Sequence, residues 1–539
     1  MKTISYIIAV VVLSTALFSA CTKAEKPAQN KEVKLVATLS PNTVATRTTM
    51  TDNGDGTITT SWEAGDFVWV KYINTSDSEV EAKATVTSVD GSGNATINVT
   101  MTDPKDASTI TFGFPYNYWN ENIELKTNQI GTLENIKTKY AASSGSGTLT
   151  VSGGKATLPT GVTMTPSVCI WKLSFTDGST NITSGITKLN IFVGSDKYVV
   201  TPSSLSNIYV AVSGSATPKF VSIAATTASG IFMKEKSGVT LAAGKMYTSN
   251  ALALSKVYYF SIGLWSTKRV ILAPGNLQAT YSGSSWTWKI AENQYDYIGN
   301  AGGNILITTD LKETTEPYGR LSADGTVDLF GRSTEDTYYG ICKSTNKDNY
   351  NGTFVDWGTL SGISYKGVTY PSNYWRTFTA VDDIDNANNE WAWIMRKRTT
   401  GVTVNGTNNA CYAKAEITIS ESPLTKVKGV ILFPDNYDGG TPAGVTWGTI
   451  NGQTASYETT CTLAGWEALE AAGCVFLPSA GRRSGTSVSD VNNIGFYWVS
   501  TKRYNGASNV LVVEPSQIKW NWAQYFSYQY SVRLAHDIN

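Results

Sequence analysis

Trp520-Asn521-Trp522-Ala523-Gln524-Tyr525-Phe526-Ser527-Tyr528-Gln529-Tyr530 places six aromatic side chains in eleven residues, and Ser531-Val532-Arg533-Leu534-Ala535 follows directly. The run holds almost no aliphatic residue, so it is a poor core strand. Trp and Tyr bring large rigid area to a contact at small entropic cost, which makes the same run a good binding surface. The plainer alternative is that half of the rings alternate into a core. The expected contact anchors are Trp520, Trp522, Tyr525, Phe526 and Tyr528, with Lys502, Arg503, Tyr504, Asn505, Asn521 and Gln524 as polar partners. Trp498 and Phe476 are expected in the core, and Arg533 in a pair internal to the fold.

Upstream, Val475-Phe476-Leu477-Pro478-Ser479-Ala480-Gly481-Arg482-Arg483 is followed by Gly495-Phe496-Tyr497-Trp498-Val499-Ser500-Thr501. Earlier still come Pro274-Gly275-Asn276-Leu277-Gln278, Asp328-Leu329-Phe330-Gly331, Phe354-Val355-Asp356-Trp357-Gly358 and Trp375-Arg376-Thr377. This order resembles the C-type-lectin-like fold, in the variant of formylglycine-generating-enzyme-like domains of Bacteroidetes surface proteins. The resemblance runs from Val257 to the C-terminus and implies a ligand-binding domain. Some proteins of this fold are diversified by retroelements that rewrite side chains near the C-terminus.

Toward the N-terminus the pattern is short strands and turns. Val33-Lys34-Leu35-Val36-Ala37-Thr38-Leu39 reads as a strand, and Asp52-Asn53-Gly54-Asp55-Gly56-Thr57 as a hairpin turn between β-rich runs; the spacing of a calcium loop is not met. Turn signals every eight to twelve residues favour β-sandwiches. Ser61-Trp62-Glu63-Ala64-Gly65-Asp66-Phe67-Val68-Trp69-Val70, Ile170 to Phe175 and Gly238 to Tyr247 together resemble the fimbrillin family of pilins and pilin-like lipoproteins. That resemblance implies two sandwich subdomains, and trimming after an Arg in an N-terminal strand, here Arg47. The expected fold is mostly β, with fimbrillin-like sandwich subdomains at 33–150 and 151–255 and an α+β lectin-like domain with two helices at 256–539. One helix is expected from a cap at Thr379 to near Gly401, the other from Leu463 to Ala472, with Leu463, Trp466 and Leu469 on one face and Gly473 as its stop.

Residues 1–20 carry a short basic start, an apolar centre and small residues before a cleavage point, which read as a secretory signal. Cys21, directly after Ser19-Ala20, resembles a lipobox cysteine and is the expected lipidation site; 21–32 is a polar tether. The protein is thus expected outside the cell, anchored in the outer membrane by lipid. Lys+Arg and Asp+Glu both total 43, so there is no net field to attract nucleic acid. After Cys21 the cysteines are Cys169, Cys342, Cys411, Cys461 and Cys474, an odd number without CxxC spacing, so neither a zinc site nor a disulfide-dense scaffold is expected; a bridge among the last four stays open.

No chemistry is expected. The single histidine, His536, lies three residues from the C-terminus in a tail expected to be mobile. Glu514-Pro515-Ser516 and Trp520-Asn521-Trp522 each lack an oxygen that a lectin calcium site needs. Asp382, Asp383, Asp385 and Glu390 cluster as on a solvated helix front. The reading is therefore a surface-anchored adhesin or ligand-binding lipoprotein, not an enzyme, with no cofactor or metal. Its expected partners are a protein or carbohydrate ligand and the membrane lipid. The alternative is a polymerising pilin or envelope scaffold whose aromatic cluster is an assembly surface for other pilin subunits.

Overall fold

The computed structural model describes residues 31–41, 49–54, 58–121, 124–263, 268–282, 285–298, 326–332, 356–380, 389–395, 402–419, 425–453, 456–484, 487–504, 507–526 and 528–538. The signal segment, Cys21, Arg47, Asn505, Cys342 and Asp382, Asp383 and Asp385 lie outside these. The fold is mostly β.

Glu32–Pro41 shows how the first unit is built. Val33, Leu35, Ala37 and Leu39 are buried while Lys34, Val36 and Thr38 face solvent, the period of two that a half-buried strand requires. Each fully buried leucine here stabilises by about 2 kcal/mol. The strand pairs antiparallel with Ala95–Thr102 along its length. On its other side it pairs in parallel with Lys155–Thr157 at Leu35↔Ala156, and with Val162–Pro166 from Leu39↔Val162. Because Val162–Pro166 also pairs with Ser143–Thr148, the nine-stranded sheet closes on itself through this first strand. The expected join at 150 therefore falls inside the first sheet, and strands out to Pro166 belong to it. Parallel pairing with the first strand, more than a hundred residues away, left no local signal.

The second unit sets Val168–Thr176, flanked by Ile208–Ser213 and Met246–Ala253, against a five-stranded sheet built on Lys188–Val193, Ser215–Thr227 and Gly230–Leu241. The hairpin Thr49–Asp52/Ile58–Ser61 forms where the turn chemistry placed it, but it leans on this second unit. Met50 joins the second core, and Asp52 pairs with Lys172 and accepts a hydrogen bond from the Tyr209 hydroxyl at 2.6 Å. Those two partners hold the Asp52 carboxyl down at about 2.

The last strand of the third unit returns beside one of its earliest. Arg269–Leu272 pairs with Leu534–Asp537, which Arg376–Thr377 flanks on the other side. His536 therefore sits in a strand, 3% exposed, and not in a mobile tail. Its ring stacks on Tyr374 at 3.9 Å, and Nδ1–H donates to the Tyr374 carbonyl at 2.7 Å. This end of the chain packs on the outer face of the second unit: Phe192 meets Tyr374 and His536, Asn190 Nδ2 donates to the Ile538 carbonyl at 3.1 Å, and Glu235 Oε2 accepts from Tyr370 at 3.0 Å.

The helix Leu463–Ala471 forms as expected. Thr462 Oγ1 accepts from the Gly465 N–H at 3.1 Å, Trp466 and Leu469 are buried, and Gly473 takes φ +82° after its end. The other helix is described only over Glu390–Met395, with all six residues buried. Glu390 is not on a solvated front: both its oxygens accept from Arg376 at 2.8 Å, a bidentate structural pair. Cys169, Cys411, Cys461 and Cys474 are buried thiols, and no bridge joins them among the described residues. Among those residues no helix is long and apolar enough to cross a membrane.

Candidate functional site

The aromatic run divides between surface and core. It occupies Ile518–Tyr525, the outer strand of a three-stranded sheet whose other members are Ala507–Val513 and Gly495–Tyr504. Ala507–Val513 is buried at every position: Val510 and Val512 face one core, Leu511 and Val513 another. The central strand thus has apolar material on both faces, and it is the flanking strands that reach solvent.

A bulge shapes that strand. Val510 pairs with Trp522 while Val512 pairs with Lys519, so two residues oppose Leu511 alone. In a regular strand Trp520 and Trp522 would share a face. Here the extra residue sends Trp520 to the side of Leu511 and Val513, where it packs half-buried on their core. Trp522 goes to the opposite side, 48% exposed, with the Lys519 ammonium 4.3 Å from its ring centre. Lys519 is held in turn by Glu514 at 2.7 Å. Tyr525, opposite Ala507, is 45% exposed. The result is a ridge with rings on both flanks.

The expected anchors Phe526 and Tyr528, and the last ring of the run, Tyr530, do not reach the ridge. Phe526 is 1% exposed and lies under the Arg332 guanidinium, 5.1 Å away, so it is a core residue and not a contact. Tyr530 is fully buried against Phe496 and Trp498. Tyr528 is half-buried beside Arg482 at 5.1 Å. Among the polar partners, Gln524 is half-buried and accepts from the Tyr530 hydroxyl at 3.0 Å. Arg503 is exposed, and its Nη1 donates to the half-buried Asn521's carbonyl at 3.1 Å. Lys502 and Tyr504 are placed in the strand Gly495–Tyr504.

Beside Trp520 the strand borders a cleft of about 480 Å³, lined by Met395, Tyr412, Asn451, Gln453, Gln517, Ile518 and Trp520. Reading the sequence for aromatics alone missed it, because its polar walls come from separate loops with no local pattern. Gln453 Oε1 accepts from the Ile518 N–H at 3.1 Å and braces one loop to the other. The Glu514–Gln517 turn closes with a backbone bond of 2.9 Å, and buried Lys414 donates to the Pro515 carbonyl. Among the described residues no group of three or more His, Cys, Asp or Glu could hold a metal ion.

The frame around the site is made from the motifs that the sequence displays. Arg533, fully buried, donates to the carbonyls of Ala273 and Phe476 at 3.0 and 2.8 Å and to Asn276 Oδ1 at 3.0 Å. It is internal as expected, but its partners are neutral acceptors and not a carboxylate. Gly358 sits where a Cβ would come within 1.8 Å of the Trp375 carbonyl, which explains the Trp-Gly at that point. Trp498 and Phe476 are core residues; Trp498 Nε1 donates to the Phe330 carbonyl at 2.6 Å.

Fold and site together define a modular, mostly β protein that carries an exposed aromatic ridge on its last unit. No family model matches the chain, and no curated protein matches it. Three solved structures, all from Parabacteroides distasonis, are similar to it in part. A fimbrial assembly protein is 9% identical, with 48% of this chain and 96% of that one covered and a TM-score of 0.24. Two proteins provisionally described as cell adhesion proteins are 8% and 11% identical, cover 42% of this chain and 94% and 90% of their own, and have TM-scores of 0.23 and 0.22.

Proposed function

We propose that this chain is an exported, lipid-anchored surface adhesin whose pilin-like β units hold out the third unit, and that the ridge Ile518–Tyr525 grips its ligand. One observation carries the reading. Among the described residues five large hydrophobic side chains are strongly exposed, and two of them, Trp522 and Tyr525, stand on this one strand. Rings of this kind, fixed on a sheet and rimmed by polar groups, are the usual anchors of a protein contact. The lectin-like reading of the third unit draws support from the pairing of its early strand Arg269–Leu272 with its last strand. Trp522→Ala and Tyr525→Ala, both at exposed positions, are each expected to change stability by less than about 1 kcal/mol. Together they are expected to cut adhesion of cells displaying the protein at least tenfold. Phe526→Ala is instead expected to cost about 3–5 kcal/mol of stability, as a core truncation does. Equal adhesion by the folded double variant counts against the ridge.

A specific observation also favours the polymerising alternative. The strand Glu32–Pro41 closes the first sheet, and its loss would leave unpaired edges on Ala95–Thr102 and Val162–Pro166. Such edges recruit a donor strand. After cleavage at Arg47, a labelled peptide of residues 32–41 is expected to exchange into the groove, and the same peptide with Leu35→Asp is not. Absence of any exchange contradicts this reading.

A further inference from the structure

We propose that the cleft beside Trp520 is a metal-independent binding site for a neutral saccharide, a step that rests on the ligand-binding reading above and names the ligand class.

The argument is one of complementarity. Every described residue lining the cleft is uncharged. A charged ligand would leave its hydration there and gain no opposite charge, which disfavours it strongly. Of the charged groups described nearby, Glu514 and Lys519 neutralise one another at 2.7 Å, and the Lys414 ammonium is engaged by the Pro515 carbonyl. A wholly apolar ligand fits no better, since carboxamides of Asn451, Gln453 and Gln517 stand along the wall. What suits an indole, a phenol ring and several amides at once is a molecule with C–H groups on one face and hydroxyls around its rim. A pyranose has that form: its axial hydrogens pack on an aromatic face, and its hydroxyls each both donate and accept.

The amides are not equally engaged. Asn451 is occupied in holding the floor: its Oδ1 accepts from the N–H groups of Cys411 and Tyr412 at 2.7 and 3.2 Å, and its Nδ2 donates to the Asn409 carbonyl at 3.0 Å. Gln453 gives its Oε1 to Ile518 and keeps Nε2 as its remaining donor. Gln517 donates through Nε2 to Glu514 at 3.2 Å and keeps Oε1 as an acceptor. One donor and one acceptor on neighbouring loops can engage a pair of adjacent hydroxyls. Tyr412, Met395 and Ile518, all buried, form the base. The braces from Gln453 and Lys414 fix both loops in advance, so little ordering is left for binding to cost. The volume, about 480 Å³, accommodates one or two sugar rings.

The test is saturation-transfer NMR of the full chain with the methyl α-glycosides of mannose, galactose and N-acetylglucosamine, in the presence of EDTA. At least one glycoside is expected to bind saturably, with transfer strongest to the ring hydrogens of one face. Gln517→Ala, at an exposed position, is expected to fold normally and to weaken binding about tenfold, the effect of one lost hydrogen bond. Gln453→Ala is expected to weaken it further. Phe67→Ala, exposed on the first unit and far from the cleft in the chain, is expected to leave glycoside binding intact. The proposal is overturned if no glycoside saturates, if Gln517→Ala binds as the unaltered chain does, or if EDTA abolishes binding. Adhesion lost in the Trp522/Tyr525 double variant with no glycoside bound would retire the cleft and leave the ridge standing.

Discussion

Arg533→Met is expected to lower the stability of the third unit by about 4 kcal/mol, the combined cost of the buried acceptors it leaves without donors. The guanidinium is fully buried and reaches carbonyls or amides at Ala273, Asn276, Gln294 and Phe476. Burial without a carboxylate partner pushes its pKa down to about 10, so it is still charged at neutral pH. Methionine fills much of the volume but donates nothing, and the buried carbonyls of Ala273 and Phe476 then lose their donors. Each such orphan costs about 1–3 kcal/mol. Arg533→Lys is expected to recover little, because one ammonium cannot reproduce the planar fork that spans separate segments. Urea unfolding followed by tryptophan fluorescence measures this. A loss under 1 kcal/mol would show that the network is dispensable.

Acidification is expected to have the second large effect, through His536. Burial lowers its pKa to about 4, against 6.5 for an unperturbed imidazole; the carbonyl of Tyr374 and the carboxylate of Asp537 oppose that shift, and Lys197 and Arg376 add to it. The unfolded chain therefore binds a proton between pH 6.5 and 4 that the folded chain refuses. The associated stability is complete above pH 6.5, falls as pH drops, and is lost by about 3 kcal/mol once pH is below 4. Glu235 works the other way, since burial raises its pKa and favours the folded state as pH falls. The comparison with His536→Phe isolates the imidazole: the aromatic variant keeps a ring against Tyr374, and between pH 6.5 and 4 its stability is expected to fall by about 3 kcal/mol less than that of the unaltered chain. Identical pH profiles for the two proteins would contradict the account.

How far the sequence disclosed this molecule depended on whether the signal was local. The strand at Val33–Leu39, the hairpin after Asp52 and the helix from Leu463 rest on periodicity or turn chemistry within a dozen residues, and all three formed. The position of His536 was illegible, because it comes from pairing with Arg269–Leu272 and from docking on a sheet face more than three hundred residues away. The join near 150 was misplaced for the same reason. Within the aromatic run, composition indicated contact surface but could not say which rings. That was decided by the bulge opposite Leu511, which leaves Trp520 and Trp522 on different flanks, and by Arg332, which covers Phe526. The cleft was hidden because Asn451, Gln453 and Gln517 are ordinary loop amides until the chain brings them together.

The most direct test of the ridge is hydroxyl-radical footprinting of the displayed protein, alone and adhering to a target surface. Trp522 and Tyr525 are expected to become protected on adhesion, while Val36, Phe67 and Ile130, equally exposed elsewhere, keep their reactivity. Adhesion with Trp522 and Tyr525 still fully reactive would place the contact somewhere else on the molecule.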